Sequence, residues 1–255
     1  MRCAFITCPR VGASYVQASV RSCVEQSVGI LRGEIGVFSE SLEPPEGLPE
    51  GVHVECRDAE YMAKVPAPTV YTDKSTFDAK CLSMGRQNVR AMRWVAEGGD
   101  FGCVFEDDVE FPRGWDAKAL ELAELAARSS PTFAMALVQY YPVVSETFPW
   151  ARKCGKLWLL RWRNVDEYWG AQGTLYTSSA VGPITDHRER CIEKAVLGEY
   201  PAVRCNGDWG LKYALMGMGV PLYACDPNLV QHTGDVSTVG VGGPEFRGKS
   251  LYSGG

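Results

Sequence analysis

No apolar run in the chain approaches the roughly 20 residues that cross a bilayer as a helix. The opening residues, "MRCAFITCPR", are interrupted too soon for a secretory leader. These two absences lead to the expectation of a cytoplasmic protein, in the host cytoplasm if the chain is viral. Positive charge is not in excess: 26 Lys+Arg stand against 31 Asp+Glu, a net −5. A global basic field that would gather nucleic acid is therefore excluded, although a local patch is not. None of the ten cysteines forms a CxxC pair or sits beside a histidine in zinc-site spacing. Several, including Cys103 and Cys225, lie inside apolar runs, where reduced thiols pack as small hydrophobes. Internal repeats, heptads and low-complexity tracts are missing too.

What remains is an ordinary globular composition, 45% apolar and 22% charged over 255 residues, enough for one large core or two small ones. The first half alternates strands with helices. "CAFIT" (3–7), "EIGVFSE" (34–40) and "VHVEC" (52–56) read as strands, and 14–28 and 76–97 read as helices. "FGCVF" (101–105) is apolar on both faces, as a central strand is, and a helix follows at 116–128. This alternation predicts an α/β fold whose mixed sheet is mostly parallel in the N-terminal half and is flanked by helices. In the second half, 133–141 and 156–164 read as strands of mixed or antiparallel pairing. Pro183 starts a helix reaching about Gly198, Asp208 to Gly217 forms another, and 220–225 is a late strand. No linker divides the chain. The expectation is one domain over 1–255, with a nucleotide-binding half at about 1–115 and an acceptor and catalytic half at about 116–255.

"CVFEDDVEFP" (103–112) places three acids, Glu106, Asp107 and Asp108, directly after the central strand. Ligands of open α/β sheets collect at the carboxyl ends of parallel strands. If the extension continues, Glu106 and Asp108 share a face and Asp107 points away. An oxygen-rich pair there suits Mn²⁺ or Mg²⁺, which would neutralise the repulsion and grip a diphosphate. The plain alternative is a solvated acidic loop at a strand end.

"VFEDDVEFP" resembles the EDD variant of the DxD motif in glycosyltransferases of the GT-A fold, and other stretches resemble that family in the same order over roughly 1–240. The resemblance implies a Rossmann-like GT-A domain and a nucleotide diphosphate-sugar donor, UDP-sugar foremost. "AFITCPR" is similar to the first strand and its turn, with Thr7 and Arg10 at donor-contacting positions. Glu40 ends the second strand, where the family reads the base, and Arg86 and Asn88 stand at donor-facing positions. Asp108 is the implied direct metal ligand, and Asp107 and Glu106 hold ribose hydroxyls or the metal's waters. "YWGAQGTLYTS" (168–178) resembles the glycine-containing sugar and acceptor loop, with Trp169, Gly170 and Gln172 as acceptor contacts. "CNGDWGLKYAL" (205–215) resembles the segment that supplies the catalytic acid. Asp208 is then the general base of an inverting transfer, although the chain carries Gly207 where inverting members often show Glu. The plainer role for Asp208 is a helix N-cap. "PNLVQHTGDVST" (227–238) matches the late histidine segment, which makes His232 a metal or diphosphate ligand, or else a structural hydrogen-bonder.

Residues 150–163, "WARKCGKLWLLRWR", hold five cations and three tryptophans and no acid. They read either as a half-buried strand with a basic rim or as an acceptor groove for something anionic, with Arg161 and Arg163 on its charged face. A cytoplasmic enzyme with such a groove could glycosylate hydroxymethylated pyrimidines in phage DNA, with base flipping; a bacterial surface glycan is the other acceptor. The rival functions are sugar-phosphate nucleotidyltransfer and a degenerate nucleotide- or glycan-binding module without turnover. The first would need a glycine-rich loop after strand one, where "TCPRVGAS" has only Gly12.

Overall fold

The computed structural model describes residues 1–7, 15–29, 34–56, 74–138, 150–162 and 172–233, with the main chain alone at 74–76, 150 and 208. Eleven strands and five helices are placed among them. The strands are β1 (Arg2–Thr7), β2 (Ile35–Ser39), β3 (His53–Glu55), β4 (Phe101–Glu106), β5 (Val109–Glu110) and β6 (Ala134–Ala136). They continue with β7 (Trp150–Cys154), β8 (Leu157–Arg161), β9 (Gly173–Thr177), β10 (Leu222–Asp226) and β11 (Gln231–His232). The helices are α1 (Val16–Gln26), α2 (Lys74–Ala96), α3 (Trp115–Ala127), α4 (Ser178–Val196) and α5 (Gly207–Met218).

Nine strands make one sheet in the order β3–β2–β1–β4–β9–β6–β10–β8–β7, and β5 pairs with β11 in a small second sheet. β3, β2, β1 and β4 are parallel, and β9 runs against β4 and β6. β6 and β10 are parallel, with the β7–β8 hairpin antiparallel beyond them. The fold class is thus α/β with a mixed sheet, parallel in its N-terminal part, as the alternation of elements predicts.

Each face of the sheet carries its own core. Cys3, Phe5, Val37, Cys103, Phe105, Met135, Leu175 and Tyr223 pack with α1 and α3 on one side. Ala4, Ile6, Phe38, Val104, Tyr176 and Ala224 pack with α2, α4 and α5 on the other. Consecutive strand residues enter opposite cores because side chains alternate, which is why β1, β2 and β4 read as unbroken apolar runs. Nine cysteines among the described residues are free thiols, six of them buried. Burial pushes the Cys225 thiol up to about 12, so it packs as an uncharged hydrophobe.

Four expectations need correction. Residues 150–162 form two strands instead of one, because Gly155 adopts φ +60° and turns the chain into a hairpin. Pro183 lies inside α4, which starts at Ser178; Gly182 before it has no Cβ to clash with the proline ring. The 168–178 segment is not all loop. Gly173–Thr177 is β9, buried along its whole length between β4 and β6. A Cβ on Gly173 would come 3.0 Å from Phe105, so packing explains that glycine. The strand expected at 133–141 is β6 over Ala134–Ala136, and residues 139–149 lie outside the described part.

α2 lies close on β4, and a Cβ on Gly102 would stand 2.6 Å from Val95 Cβ. Gly102→Ala is expected to cost about 1–3 kcal/mol through overpacking, read as a lowered urea midpoint with an unchanged slope.

Candidate metal centre at the carboxyl edge

From β1 the chain passes to β2 and β3 on one side and returns through α2 to β4 on the other. The crossovers therefore part between β1 and β4, and that crevice is where such a sheet presents ligands. Thr7 ends β1, Glu40 follows β2, Glu106 ends β4 and Asp107 and Asp108 follow it, all at this edge. An aromatic block fixes the end of β4 from below. Phe105 meets Phe5 at 5.4 Å, Phe111 at 4.9 Å and Trp115 at 5.5 Å between ring centroids.

Asp107 parts from the other two acids. Asp107, buried, accepts a 2.5 Å hydrogen bond from Thr7 Oγ1. Ser19 on α1 bridges the turn, its Oγ donating to the Asp107 carbonyl at 2.8 Å and accepting from Val109 N at 3.0 Å. Asp108 Oδ2 lies 3.2 Å from His232 Nε2. The β5–β11 pairing sets this meeting by placing His232 opposite Val109. Thr233 also binds the Asp108 carbonyl through its N and its Oγ1, at 2.8 and 3.1 Å. Glu106 turns to the side of α5, where a Cβ on Gly207 would be 3.7 Å from its Oε1. A carboxylate beside a helix N-terminus gains from the exposed N–H groups and the dipole.

Glu106, Asp108 and His232 can each offer a ligand atom, all within 4.8 Å of one another. Two carboxylates and an imidazole fit a divalent first-row ion such as Mn²⁺, and the imidazole makes the set less suited to Mg²⁺.

α5 is brought to the acids by a clamp that carried no sequence signal. Arg188 of α4, buried, donates Nη1 to Asn88 Oδ1 of α2 at 3.0 Å. Its Nη2 donates to the carbonyls of Cys205 and Asn206 at 3.4 and 3.2 Å. Gly85 and Gly210 let the turn close: a Cβ on Gly85 would collide with the Cys205 carbonyl, and one on Gly210 would be 2.9 Å from it. Asn206 caps α5 by accepting from Trp209 N at 3.1 Å. The cap is therefore Asn206, and Asp208 is the second residue of the helix instead.

Other nominated residues fall as follows. Glu40 is fully buried and bonded to Lys80 Nζ at 2.5 Å. Asn88 serves the Arg188 clamp, and Arg86 is exposed on α2. The Gln172 carbonyl accepts from Glu106 N at 3.0 Å, while its buried Oε1 makes no hydrogen bond to a described residue. Arg161 is not brought to this edge. It pairs with Tyr223 near the start of β10, four strands from β4. Arg10, Trp169, Gly170, Arg163 and the Asp208 side chain lie outside the described part. Sequence reading missed Ser19, Lys80 and Arg188, whose partners lie 88, 40 and 100 residues away.

Among the described residues no helix is long and apolar enough to cross a membrane. No family model matches the chain, and no curated protein matches it. Among solved structures the chain is similar to a mannose-1-phosphate geranyltransferase from Thermus thermophilus. The identity is 12%, over 88% of this chain and 73% of that one, with a TM-score of 0.43. The α/β class stands on the strand order and registers given above.

Lys80→Met removes the ammonium bonded to the buried Glu40 carboxylate and is expected to cost about 3–5 kcal/mol, with Glu40→Leu/Lys80→Met recovering much of it in denaturant titrations. Burial raises the Asp226 carboxyl above its ordinary value. The fold then prefers the protonated form, whose contribution is complete below the unfolded pKa and is lost as pH rises through the folded one. Asp226→Asn should accordingly be at least as stable as wild type at neutral pH. That advantage should vanish on acidification through the carboxylate range, followed by thermal melts across pH.

Proposed function

We propose that the chain is a metal-dependent glycosyltransferase of the GT-A type, moving a sugar from a nucleotide diphosphate-sugar, UDP-sugar foremost, to an acceptor hydroxyl. The observation that carries this reading is the meeting of Glu106, Asp108 and His232, with the first turn of α5 directly beside them. Glu106, Asp108 and His232 would hold the ion, which when bound supplies the positive charge that stabilises a departing diphosphate.

The chain's own residues do the rest. Thr7 orients Asp107, which is assigned to the ribose side of the donor. Asp208, in the second position of α5, takes the proton from the acceptor hydroxyl as it attacks the anomeric carbon, so the transfer inverts configuration. The Arg188 clamp fixes where that turn stands relative to Glu106. Asn206 accepts the capping bond from Trp209 N, so the N-cap position is not the one Asp208 occupies.

The test is a panel of nucleotide-sugars scored for Mn²⁺-dependent stabilisation and for transfer. Asp108→Ala is expected to abolish the Mn²⁺-dependent shift. Asp208→Asn should keep donor binding and lower transfer by about 10²–10⁴-fold. A shift that survives Asp108→Ala would overturn the metal assignment, and undiminished transfer in Asp208→Asn the base. Pyrophosphate release from a nucleoside triphosphate and a sugar 1-phosphate would identify a nucleotidyltransferase instead.

A further inference from the structure

The basic, tryptophan-rich hairpin of β7 and β8 has no part in the centre described above, yet the strand registers connect the two. Val104 pairs with Thr174, Thr174 with Ala136, Ala136 with Ala224, and Ala224 with Leu160. Glu106 and Asp226 each stand two residues beyond a member of that row, on strands that run the same way. They are level at the carboxyl edge, three strands apart, or about 14 Å. They also share a face, because Val104, Ala224 and Leu160 lie in one apolar cluster and residues two apart point the same way.

Asp226 stands directly opposite Trp158, and Trp158 opposite Lys153. Directly opposed residues on one face are near enough to contact a single ligand group. Trp158 is 41% exposed, the most exposed aromatic side chain among the large exposed apolar residues of the described part. Lys153 Nζ is 5.8 Å from its ring centroid, at the outer limit of a cation–π contact. Asp226 is half-buried, and among the described residues its carboxylate meets no hydrogen-bond donor and no cation.

We propose that Lys153, Trp158 and Asp226 form a glycan subsite, on which an oligosaccharide acceptor lies while its reacting end is at Glu106. An indole face covers the C–H face of a pyranose, a carboxylate accepts hydrogen bonds from sugar hydroxyls, and an ammonium donates to sugar oxygens. This row offers all three side by side. A nucleic acid fits it poorly, since Asp226 would repel phosphates and the protein carries −5 overall. Trp158 is about 19 Å from Glu106 by strand spacing, so the acceptor is longer than one sugar ring. The inference rests on the glycosyltransferase reading for its biological sense, but the subsite binds without metal or donor.

The experiment is an immobilised array of defined oligosaccharides, probed with the full chain in EDTA and without nucleotide, beside a labelled single-stranded DNA oligonucleotide. Wild type and Asp108→Ala are expected to bind the same class of oligosaccharide. Trp158→Ala, which removes the covering ring, and Asp226→Asn, which weakens a charge-assisted hydrogen bond, should each lower that binding by about tenfold or more, with unchanged circular dichroism and cooperative melting. The subsite is overturned if wild type binds no glycan, if both variants bind as wild type does, or if the protein retains only the DNA, in a salt-sensitive way. If glycan binds as expected while no nucleotide-sugar shows Mn²⁺-dependent stabilisation, the glycosyltransferase reading falls and the subsite stands. If transfer occurs and both variants leave the acceptor KM unchanged, the subsite falls and the enzyme stands.

Discussion

Three carboxylates in a row at the end of a buried strand repel one another, and the neighbourhood of β4 is arranged around that fact. Asp107 is drawn away to the hydroxyl of Thr7, while Asp108 meets His232 and Glu106 lies at the start of α5. The strand cannot slide to relieve the crowding, because Phe105 is fixed among Phe5, Phe111 and Trp115. What remains is a pair of acids and an imidazole converging on one small volume. On the reading proposed above, a divalent cation would complete such a set by neutralising charge that the fold has brought together and cannot disperse.

The two faces of the sheet contribute differently to this edge. On one face α1 supplies Ser19, which stitches the turn between β4 and β5. On the other, α2, α4 and α5 are locked by Arg188 and by two glycines at points of close approach. A buried guanidinium needs oxygens around it, and main-chain carbonyls of the turn before α5 supply them. The same bonds set the position of the helix start that borders Glu106. Packing and site geometry are therefore one construction on this side. At the far end of the sheet the basic hairpin ends in an edge strand whose Arg152 and Lys153 are exposed, charge that discourages another strand from pairing there.

Much of the fold was legible locally. Unbroken apolar runs mark β1, β2 and β4, because strands buried on both faces need no alternation. Helical periodicity marks α1, α2 and α3 to within a few residues. Reading failed where one local signal competed with another. Gly155 divides a segment whose apolar alternation reads as one strand. Pro183 suggests a helix start but is tolerated inside α4 behind Gly182. "GTLYT" reads as loop together with Gly170 before it, although its Thr, Leu and Tyr side chains are those of the sheet's buried centre.

By itself the sequence determined that a greasy strand ends in Glu106–Asp107–Asp108, that histidines are scarce, and that cations and tryptophans gather near 150–163. These are facts of composition and order, and they nominate chemistry. Only the tertiary structure decided that Asp107 belongs to Thr7, that Glu40 is held by Lys80, that Asn206 rather than Asp208 caps α5, and that Asp226 stands level with Glu106 on the same face. The physical reason is separation along the chain. A strand's register with partners a hundred residues away is set by the packing of both faces at once, and no local run of residues carries that sum.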